Sequence, residues 1–521
     1  MAVAAGCGSS KPGQAGSGGA TAQASFYTGG TPGGTPVRGG TVVVDSAEAP
    51  ASLDPLLSVT PGDDRPSAAI FDTLVEFMPG SKQVQPALAK SWEISPSATT
   101  FTFHIRPGVR FSNGEPLTGK DVVYSLSRTK NLPNSVCRYL TTEWKSITLT
   151  GPMTVQMQLG KPDPSLVEQI NVPCFGIVPE KVLRSESEQQ FAQHPIGTGP
   201  FTLKSTNAGN TTVALVRNPD FWRGGGQPYL NELVFNQVES DNARILAVRS
   251  GTATLDIGVP YSQVSTLRST PGVRMVIQPL WGASVEPIND VKAPLNETNV
   301  RRALAYATPT NAIIKSVYKG YAVQANSIVG VMEYWDAKVP SYTYDVKKAK
   351  ELLKTTSVPH GFSTTIIAPA GDSSDELIAT ILQSAWAQIG VHVNVHTVDP
   401  TTLNDNLFAG KYDVEIVPPE EFVNEDYNSI LPDEAYLIGA SVPAEQPSSR
   451  LKAHLLTALT TLSGATREKL AQEIQREASW EEPFYLPMIN LSELNLASTS
   501  LRGYQVLLNA HTRFEQVWLA H

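Results

Sequence analysis

Residues 364–395 constrain this chain more than any other stretch. Thr364 to Ala368 is a short, mostly apolar run, and Ser373 to Ile389 carries Leu377, Ile381, Leu382, Ala385, Trp386 and Ile389 on one helical face. Ser373 and Glu376 have the spacing of a capping box, and Gly390 stops the helix. Val391, Val393 and Val395 then alternate as a half-buried strand does. Strand, helix and strand in this order make a βαβ unit, because parallel strands need a crossover between them. The chain therefore holds an α/β domain with parallel pairing.

A second stretch, Thr99 to Arg128, has a different character. Phe101, Phe103 and Ile105 alternate with Thr100, Thr102 and His104, the period of a strand with one buried face. Pro107-Gly108 turns the chain, Asn113-Gly114 suits a two-residue hairpin turn, and Thr118 stands three residues before Asp121 as a capping box. Lys120 to Arg128 follows as a helix with Val122, Val123 and Leu126 on one side. Elsewhere, Gly40 to Asp45, Thr154 to Leu159, Val213 to Val216 and Glu232 to Phe235 read as strands. Ser67 to Phe77, Ala243 to Arg249, Val300 to Ala307 and Arg467 to Ala478 show helical spacing. Gly197-Thr198-Gly199-Pro200-Phe201 precedes a strand-like FTLKS, so it reads as a turn and not as a phosphate cradle, which would need a helix after it.

At 521 residues the chain exceeds one hydrophobic core and implies two or three folding units. A net charge of −9 argues against a nucleic-acid surface. No run of 18 or more apolar residues offers a bilayer span. No C-x-x-C, H-E-x-x-H or G-x-S-x-G occurs, and the eight histidines are scattered, so neither a metal site nor a nucleophilic triad has a sequence signal.

Seven further blocks accompany the Thr99–Arg128 stretch in order: LDP (Leu53–Pro55), PALAKSW (Pro86–Trp92), GTGPF (Gly197–Phe201), RNPDFW (Arg217–Trp222), APLNETNVRRALAYA (Ala293–Ala307), YDVKKAKELL (Tyr344–Leu353) and AWAQIGVHV (Ala385–Val393). From about Arg38 onward the chain resembles the large solute-binding proteins of bacterial ABC importers, the oligopeptide-, dipeptide- and nickel-binding family. The resemblance implies a two-lobed, hinged α/β fold of the periplasmic-binding-protein type (class II, cluster C) with mixed sheets. It also implies four parts: a signal remnant and flexible linker at 1–39; lobe I from 40–71, 196–281 and 489–521; an additional small domain of lobe I at 72–195; and lobe II at 282–488. The third segment opens near Trp281, and Phe484 to Ile489 with the final residues leads back to lobe I.

Ala4-Ala5-Gly6-Cys7 resembles the end of a bacterial lipoprotein signal with Cys7 as the lipidated residue. Only six residues precede it, which reads as a late start or a shortened signal. Gly8 to Gly40 is a Gly/Ser/Thr/Ala/Pro tract of linker composition, a coil spanning on the order of 30 Å. The resulting expectation is a monomer at the outer face of the cell membrane or in the periplasm. Cys137 and Cys174 fall in the segment that the family folds as one small domain, and in an exported protein a disulfide is favoured over two buried thiols.

The resemblance also places the ligand. The loop after LDP, Val59-Thr60-Pro61, would line the cleft, with Trp281 as an aromatic wall and Asn289 as a hydrogen-bonding amide. Core packing and strand-end bonding are the plain alternatives for those two. In peptide-binding members a W-x-A-D-Y block supplies an aspartate for the peptide's ammonium group. Here the run is Tyr412-Asp413-Val414-Glu415-Ile416-Val417-Pro418-Pro419-Glu420-Glu421-Phe422, so Phe422 occupies the aspartate's place. Either Glu421 or Glu425 takes over that role with a longer arm, or the acidic run from Glu420 is a solvated loop and the ligand has no ammonium.

The leading expectation is a non-enzymatic binding protein without cofactor or metal. It would capture an oligopeptide or peptide-like solute between its lobes and deliver it to ABC permease subunits. Alternatives are a sugar or metal chelate in the same cleft, a receptor that signals through a sensor, or an exported hydrolase using Glu420, Glu421 and Glu425. Glycosidic chemistry would need two of those carboxylates about 5–9 Å apart.

Overall fold

The structure, a computed structural model, describes residues 25–57, 65–78, 84–327, 335–370, 373–416, 447–458, 460–462, 464–507 and 512–520. Its main elements begin with β1 (Thr41–Ser46), α1 (Arg65–Ile70), β2 (Ala89–Ile94), β3 (Thr100–Ile105), α2 (Gly119–Asn131), β4 (Trp144–Gly151) and β5 (Thr154–Leu159). They continue with β6 (Phe201–Thr206), β7 (Thr212–Arg217), β8 (Glu232–Gln237), α3 (Asp241–Ser250), β9 (Leu255–Ile257) and β10 (Val273–Pro287). The remainder holds α4 (Thr298–Ala307), β11 (Val323–Gln324), β12 (Ser363–Pro369), α5 (Ser373–Ala387), β13 (His392–Val398), β14 (Val414–Glu415), α6 (Ala465–Arg476) and β15 (Tyr485–Ser498).

Three sheets carry the two-lobed α/β architecture. The first has eight strands in the order β10-β15-β9-β1-β8-β7-β6, with β11 attached to β15. Its centre, β1, is parallel to both neighbours, and Val42 and Val44 are buried in the lobe I core with Leu233, Leu255 and Phe201. The second is the antiparallel set β2-β3-β5-β4. Phe101, Phe103 and Ile105 turn inward there with Val155 and Met157, and the intervening threonines and His104 are half-buried. The third is the parallel trio β13-β12-β14, with α5 crossing between β12 and β13 and burying Ile378, Leu382 and Trp386.

Local signals explain these boundaries. α2 opens with a capping box in which Thr118 and Asp121 exchange side-chain and backbone bonds; Asp121 also accepts from the Glu180 amide, tying the helix to the loop behind it. α3 stops at Gly251, whose φ of 81° is the left-handed cap that glycine adopts at least cost. Cys137 and Cys174 are disulfide-bonded with their Cα atoms 6.3 Å apart.

Two expectations change. The helical spacing of 67–77 persists only to Ile70, because the GTGPF turn backs directly onto that point: Gly199 donates its amide to the Ile70 carbonyl, and a Cβ at Gly197 would lie 2.1 Å from that same oxygen. The linker composition of Gly8–Gly40 does not keep residues 25–40 loose. Phe26 and Tyr27 pack against the core around Met275 and Ile277, and Thr31 is buried.

Candidate functional site

β10 and β15 are shared between two cores. Ile277, Leu494 and Leu496 pack with Met275 and Val264 on one side of the crossing; Ile288, Leu486, Ile489 and Leu491 pack with α4 and α5 on the other. Their register breaks where they cross. Pro279 pairs with Ser492 and Ala283 with Asn490, so Leu280, Trp281 and Gly282 together face Leu491 alone. A second shift follows between Val285 and Pro287. Extra residues of this kind bend a strand and raise its local twist, which makes the crossing the place where one sheet can pivot on the other.

Strand direction fixes what faces the crossing. β9, β1 and β8 run the same way as β10, so their carboxyl ends point toward the third sheet. Ile288 bridges Val414 antiparallel, so β14 and its parallel partner β12 point their carboxyl ends back. Two sets of parallel strands thus aim their carboxyl ends at one crevice, the usual ligand position in open α/β sheets.

Carboxyl groups gather along that crevice. On the lobe I edge, Asp45 and Asp256 are ladder partners. Arg244 donates to Asp256 Oδ1 at 2.8 Å, but Asp256 Oδ2 is buried without a hydrogen-bond partner among the described residues, and burial pushes its carboxyl up to about 6. On the crossing itself, Glu493 of β15 faces Arg65 at 3.9 Å, and burial raises its carboxyl despite that guanidinium. On the far side, Glu286 is 2% exposed and its Oε2 has no partner among the described residues. Burial, reinforced by the negative charge of Asp375, holds it well above the ordinary carboxylate range. Glu415, at the end of β14, is also fully buried.

The sequence-derived residues divide sharply. Thr60, Glu420, Glu421, Phe422 and Glu425, and the lipidation candidate Cys7, lie outside the described residues. In sequence, Thr60 falls between Leu57 and Arg65 and the next four after Ile416. Trp281 occupies the middle of the bulge; its side chain is likewise outside what is described. Asn289 is corrected from recognition amide to anchor. It is fully buried, its Nδ2 donates to the carbonyls of Gly410 and Tyr412 at 3.1 and 2.8 Å, and its Oδ1 accepts from the Val291 amide. That arrangement fastens the end of β10 to β14. Asp45, Asp256, Glu286, Glu415 and Glu493 went unnoticed in the sequence, although each is a charge in or at the end of an apolar strand. A separate recess between α1 and the carboxyl-terminal segment is only about 60 Å³. Its charges are matched, Arg513 lying between Glu76 and Glu515, so it suits water better than a solute. Among the described residues no group of three or more His, Cys, Asp or Glu could hold a metal ion, and no helix is long and apolar enough to cross a membrane.

Comparison with known proteins agrees with this geometry. The family model described as "Bacterial extracellular solute-binding proteins, family 5 Middle" matches residues 83–427. Haem-binding protein A of Haemophilus influenzae is 27% identical over 387 residues, 69% of this chain and 70% of that protein. The dipeptide-binding protein of Escherichia coli is 27% identical over 399 residues, 70% and 72% of the two chains. Among solved structures, HbpA2 from Haemophilus parasuis superposes with a TM-score of 0.82 at 24% identity, covering 92% of this chain and all of that one. DppA from Helicobacter pylori in complex with the peptide STSA gives 0.74 at 24% identity, covering 93% and 99%. At these identities the structural matches speak for the fold.

Proposed function

This chain belongs to the bacterial extracellular solute-binding proteins of family 5, and on that premise we propose that it captures short peptides with a free amino terminus. As a family member it is a binding protein of an ABC importer and not an enzyme. The single observation behind the peptide reading is the row of buried carboxyl groups, Glu286 above all, at the crossing of β10 and β15. An ammonium removed from water needs a carboxylate partner, and a buried carboxyl oxygen without a partner among the described residues is one that a ligand can complete. The dipeptide-binding relative, and the glutathione-binding protein of Salmonella typhimurium that is 28% identical over 320 residues, support the same class.

In this account the solute contacts both carboxyl-end edges at once and so favours the closed arrangement, pivoting about the bulge at 280–282. Burial and the charge of Asp375 favour the neutral form of Glu286, and an arriving ammonium favours the charged form, so binding draws a proton off it. Thr60, Glu420, Glu421, Phe422 and Glu425 remain the sequence-derived candidates for further ligand contacts. Cys7 carries a lipid that holds the protein near its permease, and the protein acts as a monomer.

Haem, suggested by the first of the relatives, fits this lining less well. Its propionates would meet Glu286, Glu415 and Glu493, while Arg65 already faces Glu493. Titration of a tri-alanine peptide against its N-acetylated form, followed by tryptophan fluorescence, tests the proposal: acetylation should weaken binding at least tenfold. Equal binding of both forms, or binding of neither with retention of haemin, would sink the peptide reading.

A further inference from the structure

Asn490 of β15 is 1% exposed, yet neither its Nδ2 nor its Oδ1 has a hydrogen-bond partner among the described residues. Other buried asparagines are bonded at both ends of the amide, as Asn289 is. Asn495, five residues on in the same strand, donates to the Tyr504 hydroxyl at 2.9 Å and accepts from the Gly258 amide at 3.2 Å. Asn326 donates to the carbonyls of Asp336 and Val339 and accepts from the Trp335 indole. Asn218 donates to the Gly199 carbonyl and accepts from the Asp220 amide. Those amides fasten backbone to backbone. Asn490 fastens nothing, and a buried amide open at both ends costs the fold the bonds it would have in water.

Its position is that of a group which a solute can complete. The ladder partners of Asn490 are Ala283 of β10, in the first pair beyond the bulge at 280–282, and Val323 of β11. Ile489 and Leu491, on either side of it, point into the lobe II core with α4 and α5, so strand alternation aims Asn490 at the opposite face of the crossing. That face lies at the pivot, where parting of the lobes admits a solute.

The chemistry of the group selects the partner. A side-chain amide presents a donor and an acceptor side by side. In an extended peptide, the N–H and C=O of one residue point to the same side of the chain and match that pair; an ammonium or a carboxylate would satisfy only one end of it. We propose that Asn490 is a specificity-determining residue, which pairs through both ends of its amide with the main-chain N–H and C=O of one residue of the bound peptide. The assignment rests on the peptide reading of the crevice and does not depend on Glu286.

The test uses the full chain stripped of solute. Tri-alanine and its two single-ester analogues, in each of which oxygen replaces one peptide N–H, are titrated by tryptophan fluorescence against wild type and Asn490→Leu. Leucine places methyl groups where asparagine has Oδ1 and Nδ2, so the shape is kept and the pair of bonds is lost. Wild type should hold one of the two esters about two- to tenfold more weakly than tri-alanine. Asn490→Leu should bind tri-alanine about five- to a hundredfold more weakly than wild type, and should not tell that ester from it. Without solute, its urea midpoint should equal or exceed that of wild type, because an open amide is no longer buried. A wild type indifferent to both esters, an ester preference that survives in Asn490→Leu, unchanged tri-alanine binding, or a lower urea midpoint would overturn the assignment and leave the peptide reading standing. Failure of wild type to bind tri-alanine at all would sink both.

Discussion

Two regions of this protein bury charge and treat it in opposite ways. Where the small domain meets lobe I, every prominent buried charge is matched. Arg128 of α2 grips Asp54 through both terminal nitrogens; Asp72 accepts from Thr198 and from the Trp222 indole at 2.8 Å each; Glu76 is shared by Arg223 and Arg513. Along the crevice, Asp256 Oδ2 and Glu286 Oε2 are buried without partners among the described residues, and Asn490 on β15 has neither amide atom engaged. The first pattern is that of a joint, the second that of a site awaiting a solute. The same comparison explains the sequence blocks that carry the family resemblance. LDP, GTGPF and RNPDFW converge on the joint through Asp54, Thr198 and Trp222, so they report the architecture and say nothing of the ligand.

Breaking the joint should have the largest effect. Asp54→Ala leaves buried Arg128 with only Glu188, 3.8 Å away, to offset its charge and should cost about 3 kcal/mol in urea unfolding. A loss below about 1 kcal/mol would mean that the pair is solvated and the contrast misdrawn.

Next in size is a pH effect on the crevice side. Asp256 has a folded value of about 6 against an ordinary carboxylate near 4, so its contribution is fully present below about pH 4 and is lost as pH rises through 6. The change is on the order of 3 kcal/mol. Asp256→Asn should flatten the stability profile between those limits; a wild-type profile that rises with pH there and is unaltered by the substitution would contradict the assignment.

The smallest effect separates stability from function. Glu286→Gln removes a strained carboxyl and should raise the unfolding free energy by about 1 kcal/mol while weakening peptide binding. In wild type, calorimetry in buffers of different ionisation enthalpy should show net proton release on peptide binding, and in Glu286→Gln that release should be lost. Lost binding without the proton signature would make Glu286 a packing residue.

Much of the fold was legible because its signals are local. Alternation in Thr100–Ile105, the Thr118–Asp121 box and the Val391–Val395 strand needed only neighbours in sequence. The packed segment 26–31 was not legible, since two aromatic residues in a Gly/Ser/Thr tract find their partners, Met275, Ile277 and Tyr321, some 250–295 positions away. The site was legible least of all. Glu286 in GASVEPIN and Glu415 in YDVEIV look like solvent-facing charges until strand direction shows that both lobes aim their carboxyl ends at one crevice. Asn289 was found by its place in a family block, yet its amide serves the backbone of Gly410 and Tyr412.

The most direct measurement of the central claim is to purify the protein without denaturation, unfold it, and identify the released solute by mass spectrometry alongside Glu286→Gln prepared identically. Short peptides with free amino termini from wild type, much reduced from the variant, are the expected result. Haem, sugars or metal chelates in place of peptides, or peptides retained equally by both proteins, would contradict the account of the carboxyl-lined crevice.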